Sequence, residues 1–259
     1  MDQFVWWALV ASLATWLVTA LGAATVLFFT APSPKVLDLM MGFAAGVMIA
    51  ASFWSLLQPA VQRAQALGSP AWLVATAGFL LGAVFLWASD KIMVLARHLP
   101  PGSSGHRARM LVLSVTLHNI PEGLAVGVAF GALRSGMTPE GLMGAVSVAL
   151  GIGLQNFPEG AAVSLPLRSR GYSPGKSFFL GQASGMVEPV AGLLGALLVM
   201  YVEALLPFAL SFAAGAMVLV AVHELIPECQ RFRDNQPYFA TMGIVLGFAA
   251  MMLLDVMLG

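Results

Sequence analysis

Two short segments of the chain repeat each other and hold the side chains best suited to chemistry. Residues 117–126 and 154–163 are identical at seven of ten positions. The polar members of the two segments are His118, Asn119 and Glu122, then Gln155, Asn156 and Glu159. Imidazole nitrogens, amide oxygens and carboxylate oxygens can all bind divalent metal ions. The repeat therefore indicates a metal site shared by two related segments.

Helical spacing puts the ligands of each segment on one face. His118 and Glu122 are four residues apart, and so are Gln155 and Glu159, which places each pair on the same side of a helix. The proline before each glutamate lacks an amide hydrogen and clashes with the preceding turn, so we expect both helices to kink. The glycine after each glutamate lets another backbone approach closely. We expect two kinked helices that face one cavity.

The helices that must hold these residues are membrane spans. Of the 259 residues, 59% are hydrophobic and 9% are charged, whereas about a quarter of a soluble domain is charged. Apolar stretches long enough to cross about 30 Å of hydrocarbon predict an all-α membrane protein of eight transmembrane helices, in a single domain over 1–259. They fall near 4–29, 36–61, 70–96, 110–133, 139–167, 174–201, 205–229 and 237–258. We expect a flexible cytoplasmic loop at about 97–109.

Basic residues orient the spans. The loops after odd-numbered spans hold ten Lys and Arg residues, and the loops after even-numbered spans hold two. This bias predicts that both termini lie outside the cytoplasm. Spans 4 and 5 then run in opposite directions, and their repeated segments form an inverted repeat near the bilayer midplane, where transporters bind substrate. Span 6 adds Glu188, another acid ahead of a proline, near the same depth.

Buried acids in spans 4, 5 and 6 require a partner. A carboxylate within lipid costs several kcal/mol, and Glu122, Glu159 and Glu188 could not all be ionised in a dry site without a cation. A divalent metal resolves that conflict. Imidazole with carboxylate suits zinc and its neighbours better than calcium or magnesium. A polar packing motif between helices is the alternative, and three acids, a histidine and a duplicated proline argue against it.

A second set of polar residues lies along the expected path. At the predicted cytoplasmic side these are Asp38 in span 2, Asp90 in span 3, and His223, Glu224 and Glu228 in span 7. We interpret them as stations of a metal exit path, with ordinary interfacial charge as the alternative. In span 2, Met48 and Ser55 recur at helical spacing, and Met48 is either a soft ligand or a packing group.

The repeated motif, with Glu188 and the later His223-Glu224 pair, resembles the ZIP family of metal transporters, specifically its GufA-like branch. The resemblance covers nearly the whole chain and implies import of zinc, and often of iron, manganese or cadmium, into the cytoplasm. It implies a two-metal centre and an elevator-like motion of spans 1, 4, 5 and 6 against spans 2, 3, 7 and 8. The first site would comprise His118, Glu122, Gln155, Glu159 and Glu188, and the second Asn119, Asn156 and the shared glutamates.

Asn156 departs from relatives with a clear two-metal centre, in which the matching residue can be aspartate. The amide removes one negative charge from the second site. We therefore hypothesise that the second ion binds weakly or transiently.

Two other functions compete with a carrier. A divalent-selective channel would line its path with the same carboxylates. An intramembrane metallohydrolase would need a His-Glu-x-x-His motif, but Pro227 stands where the second histidine belongs, so we predict no enzyme.

The predicted partners are divalent metal ions and the lipid bilayer of a plasma (inner) membrane, with a homodimer as an open alternative. Zinc would be a bound substrate, and no cofactor is expected. The net charge is zero, so nothing indicates nucleic acid as a partner.

Overall fold

The computed structural model describes residues 2–29, 33–95, 104–230 and 238–258, and within these ranges every regular element is helical. Eight of its helical segments are long and apolar enough to cross a membrane. They match the eight predicted spans in order and in approximate bounds, which confirms the predicted all-α fold class. We number them as spans 1 to 8.

The bounds of the helices are as follows. Span 1 is Gln3–Ala24, extended by a 3₁₀ turn at Thr25–Leu27, and span 2 joins Pro34–Ala51 to Gln58–Ala66 through a π turn at Ser52–Leu57. Span 3 is Ala71–Leu95, span 4 is Ser104–Gly131 with a 3₁₀ turn at Ala132–Ser135, and span 5 is Pro139–Ser169. Span 6 comprises Pro174–Gly185 and Val187–Tyr201, and a 3₁₀ turn follows at Glu203–Leu205. Span 7 comprises Leu206–Val220, a π turn at Ala221–Leu225 and Ile226–Cys229, and span 8 is Tyr238–Leu258.

Helix starts follow local capping chemistry. Span 5 begins with Pro139 at its first position, and the Thr138 hydroxyl accepts a hydrogen bond from the Gly141 amide. Ser173 does the same for Lys176 ahead of span 6. Proline and a hydroxyl cap together satisfy the unpaired amides of a first turn. The helix of span 4 begins at Ser104, within the segment predicted as a flexible loop at 97–109; residues 97–103 of that segment lie outside the described ranges.

Prolines in spans 2, 6 and 7 mark the irregular turns. Pro59 and Pro227 each follow a π turn, in which the wider backbone relieves the clash between the proline ring and the preceding turn. Span 6 breaks at Met186, just ahead of Pro189. By contrast, the helices of spans 4 and 5 continue through Pro121 and Pro158. The repeated prolines therefore do not interrupt the helices that carry the candidate ligands.

Glycines allow particular pairs of spans to pack closely. At many of them an added Cβ would collide with the backbone of a neighbouring span, so only glycine permits that approach. Such contacts join span 1 to span 5, span 4 to span 6, span 2 to span 8 and span 3 to span 7. The glycines concerned include Gly22 and Gly160, Gly123 and Gly127, Gly46 and Gly247, and Gly82 and Gly215. Spans 1, 4, 5 and 6 pack extensively on one another, which makes them one group.

The contacts between this group and the other spans are of a different kind. Spans 2 and 5 and spans 4 and 7 pack against each other. Where span 5 meets span 8, Gly151 faces the flexible thioether of Met251 rather than a backbone. An apolar crevice of about 950 Å³ also separates spans 1 and 5 from spans 2 and 8; Ala14, Phe43, Gly153 and Leu246 are among its lining residues. Backbone contacts at glycines therefore hold the spans of the first group together, whereas a flexible side chain and an apolar crevice lie at the junction with spans 2 and 8.

Gly127→Ala should lower stability, because its methyl group would collide with the backbone of Gly192. Overpacking of this kind costs about 1–3 kcal/mol. Gly144→Ala is the matched control, since nothing lies within contact of an added Cβ there and alanine is the better helix former. The melting temperature of the detergent-purified proteins is the measurement. Equal melting temperatures for the two variants would contradict the packing described for spans 4 and 6.

Candidate metal site

All seven residues predicted as ligands are buried where spans 4, 5 and 6 meet. Asn119, Glu122, Gln155, Asn156 and Glu188 have no exposed surface, and His118 and Glu159 are 6% exposed. Buried carboxylates and amides need hydrogen-bond partners or a cation. Their partners therefore decide what the site can bind.

Spans 4 and 5 meet through one short hydrogen bond. The Gln155 amide donates from Nε2 to Glu122 Oε1 at 2.6 Å. This contact pairs the histidine-containing segment with the glutamine-containing segment, as expected for an inverted repeat whose halves face each other. It also leaves Gln155 Oε1 and Glu122 Oε2 available.

Span 6 is attached to both repeated segments. Asn119 donates from Nδ2 to the Ser184 carbonyl at 2.9 Å. Asn156 donates from Nδ2 to the two oxygens of Glu188 at 3.0 and 2.9 Å. The two asparagines of the repeat therefore point their amide nitrogens at span 6.

Five buried oxygen atoms in this site accept no hydrogen bond from the described residues. They are Asn119 Oδ1, Glu122 Oε2, Gln155 Oε1, Asn156 Oδ1 and Glu159 Oε2. Leaving a buried polar atom without a partner costs about 1–3 kcal/mol. All five atoms are acceptors, so a cation is a partner that each of them could accept. Carboxylate and amide oxygens also form the oxygen part of transition-metal sites.

The charges of the site add to this demand. The carboxylate of Glu122 is buried and repelled by Glu159 and Glu188, and Glu159 is likewise repelled by Glu188. Among the described residues, the ion pairs that are found involve other acids, Glu224 and Asp2. Three acids that repel one another without a basic partner favour occupation by a positive ion.

His118 does not point at these acids in this conformation. Its Nε2 lies 2.7 Å from Glu224 Oε1 in span 7, and the Ser114 hydroxyl donates to the other oxygen of Glu224 at 3.0 Å. In the described part of the chain, no three His, Cys, Asp or Glu side chains are close enough to hold a metal on their own. The amide oxygens of the repeat are therefore needed to complete a ligand set.

Comparison with known proteins identifies the family of the chain. The pattern of the ZIP zinc transporter family matches residues 94–255. The chain belongs to the ZIP family. It is 42% identical to the zinc transporter GufA of Myxococcus xanthus over 97% of this chain and 98% of that protein. It is 40% identical to the zinc transporter ZIP11 of Xenopus tropicalis over 97% of both chains, and 36% identical to the zinc transporter ZIPB of Bordetella bronchiseptica over 98% of this chain and 82% of that protein.

Membership of the GufA-like branch of the ZIP family follows from these relatives. The eight apolar helices and the family together establish a multi-pass integral membrane protein.

The residues predicted along the metal path are spread over several spans. Met48 is fully buried in span 2, and Ser55 donates to Asp255 of span 8 at 2.7 Å. Asp38 and Asp90 are half-buried, and His223 and Glu228 are exposed. Asp38 interacts electrostatically with Glu228. Of this set, Glu224 forms an ion pair with a residue of the repeated segments, His118.

The sequence prediction missed three polar groups. Thr15 and Thr19 of span 1 both donate to Glu188. Asp255 of span 8 accepts from Ser55 and, at 3.3 Å, from Ser147 of span 5. The sequence held two signals that could have identified them. Thr15 and Thr19 are two hydroxyl residues one turn apart in an apolar span, and Asp255 is a lone acid in the most apolar span.

Glu224→Leu should tighten zinc binding about ten-fold, because His118 would no longer be held by a hydrogen bond to a charged group. Equilibrium zinc binding to the detergent-purified protein is the measurement. In a His118→Ala background the same substitution should have no such effect. Unchanged or weaker binding by the Glu224→Leu protein would contradict a competition between Glu224 and metal for the imidazole.

Proposed function

We propose that this protein carries divalent transition-metal ions, zinc foremost, across a membrane into the cytoplasm through the site between spans 4, 5 and 6. The proposal rests on five buried oxygens that have no hydrogen-bond donor, two of which belong to Glu122 and Glu159. It also rests on the mutual repulsion of these two acids and Glu188. The relatives named as zinc transporters support zinc as the cargo. Iron, manganese and cadmium fit the same borderline ligand set.

The proposed ligands are those of the repeat, with Glu188 as a further acid. Glu122, Gln155 and Glu159 would bind the first ion, since each presents a free oxygen and the two glutamates add negative charge. His118 would join them after leaving Glu224. Asn119 and Asn156 would bind a second ion through their free oxygens, and the neutral amide of Asn156 supports the hypothesis that this ion is weakly held.

Movement of one helix group against the other is the proposed mechanism. Backbone-to-backbone glycine contacts hold spans 1, 4, 5 and 6 together in pairs, whereas the junction with spans 2 and 8 contains a flexible side chain and an apolar crevice. A rigid group that carries the site could slide along such a junction. A divalent channel is the second candidate; uptake that saturates at low metal would distinguish the carrier from it.

The direction of transport rests on the excess of basic residues in the odd-numbered loops. With that orientation, Asp38, His223 and Glu228 lie at the cytoplasmic end and would form the exit path. The membrane would be the plasma (inner) membrane. The metallohydrolase is disfavoured, because Pro227 replaces the histidine that its motif needs.

Glu122→Ala and Glu159→Ala should each abolish zinc uptake into proteoliposomes, to below about a tenth of wild type, because each removes a charge that binds the ion. Glu140→Ala is the matched control, since Glu140 is an exposed acid in the first turn of span 5. Uptake is followed with a zinc-responsive dye inside the vesicles. Robust uptake by either site variant would contradict the proposed site.

His223→Ala should slow the release of zinc to the cytoplasmic side more than it weakens binding from the outside. His223 is exposed near the end of span 7 and would act after the ion has left the central site. The neighbouring exposed residue Val222, changed to Ala, is the control. Single-turnover release measured against outer-face affinity separates the two steps, and a large loss of that affinity would contradict an exit role.

A further inference from the structure

Span 1 reaches the proposed site through two threonines that lie outside the repeated motif. Thr15 donates from Oγ1 to Glu188 Oε2 at 2.6 Å, and Thr19 donates from Oγ1 to Glu188 Oε1 at 3.3 Å. The two hydroxyls are one helical turn apart, on the same face of span 1. Both threonines are buried, at 2% and 1% exposed. Span 1 therefore contacts both oxygens of one proposed ligand.

Asn156 completes the shell around Glu188. Its Nδ2 lies 3.0 and 2.9 Å from the two carboxylate oxygens and 3.1 Å from the Thr15 carbonyl. All three neighbours are acceptors, which fixes the orientation of this amide. One of its hydrogens goes to the Thr15 carbonyl and the other is shared by the carboxylate. Glu188 thus receives four contacts from three side chains.

Glu188 differs in this respect from the other two acids. A carboxylate offers about four acceptor positions, and three hydrogens, one each from Thr15, Thr19 and Asn156, are directed at the two oxygens of Glu188. Glu122 and Glu159 each keep a buried oxygen without a partner. Gly185 packs against this contact, because an added Cβ there would lie 3.0 Å from Glu188 Oε1 and 3.1 Å from the Thr19 side chain.

We propose that Thr15 and Thr19 are positioning residues for transport, which hold Glu188 in hydrogen bonds and so keep it from becoming a tight metal ligand. The hydroxyls compete with the ion for the same carboxylate oxygens. They thereby set how firmly the site holds its cargo and favour a site dominated by Glu122 and Glu159. This inference rests on the proposed function and extends the site to span 1.

Loss of the hydroxyls should tighten binding and slow turnover. For Thr15→Val, which keeps the shape of the side chain, we expect the KM for zinc uptake to fall about ten-fold, the ratio that corresponds to one hydrogen bond to a charged group. The maximal rate should fall as well, because a more firmly held ion leaves more slowly. Thr19→Val should act in the same direction but less, since its bond is longer. Thr15→Ser keeps the donor and should restore wild-type values.

Two further variants separate positioning from general stability. Thr25→Val, also on span 1, removes a hydroxyl that bonds only to the Gly22 carbonyl of its own helix, and it should leave KM unchanged. In a Glu188→Gln background, Thr15→Val should no longer lower KM. A merely destabilised protein would lose maximal rate without gaining affinity. Equilibrium zinc binding to detergent-purified protein gives the same comparison for any variant that has lost uptake.

The outcomes distinguish this inference from the function on which it rests. A lower KM for Thr15→Val that disappears with Glu188→Gln supports the positioning role. An unchanged or higher KM, with wild-type uptake intact, overturns the role of the threonines and leaves the proposed function standing. Wild-type protein that neither binds nor takes up zinc overturns both.

Discussion

Buried oxygen atoms without hydrogen-bond donors are the constraint on which this structure depends. Membrane helices satisfy their backbone internally, so the demand falls on side chains, and here it falls on amides and carboxylates of spans 4 and 5. The hydrocarbon of a bilayer has no hydrogen-bond donors for such atoms, and no basic side chain is seen paired with the three acids in the described part of the chain. A divalent cation meets both the hydrogen-bond deficit and the charge. This demand is the physical basis of the proposed metal site.

Helix packing determines which of the proposed metal ligands are held within one group of spans and which contact the other spans. Glycine contacts lock span 1 to span 5 and span 4 to span 6, so Glu188 is held by neighbours within the same group, Thr15, Thr19 and Asn156. His118 instead contacts Glu224 of span 7, outside this group. Asp255 of span 8 likewise accepts a hydrogen bond from Ser147 of span 5. The proposed movement of the first group would break these two contacts.

The sequence predicted the spans and the repeat well, for a physical reason. Eight apolar stretches interrupted by Pro and Gly have few alternatives in lipid, and residues four apart on helices share a face regardless of their surroundings. The burial of Glu122, Glu159 and Glu188 followed from position along the spans. The partners of individual side chains could not be predicted in this way. His118 turns to Glu224, and Thr15 to Glu188, because of how separate spans pack, and a threonine in an apolar helix gives the same local signal whether it packs or positions.

The central claim is tested most directly by anomalous scattering from crystals of zinc-loaded protein grown at low free zinc. We predict one strong peak within zinc–oxygen bonding distance, about 2.0–2.2 Å, of the carboxylate oxygens of Glu122 and Glu159. We predict weak or no density near Asn119 and Asn156. Two fully occupied peaks would contradict the weak second ion. No peak between spans 4 and 5, with those carboxylates pointing apart, would contradict the account as a whole.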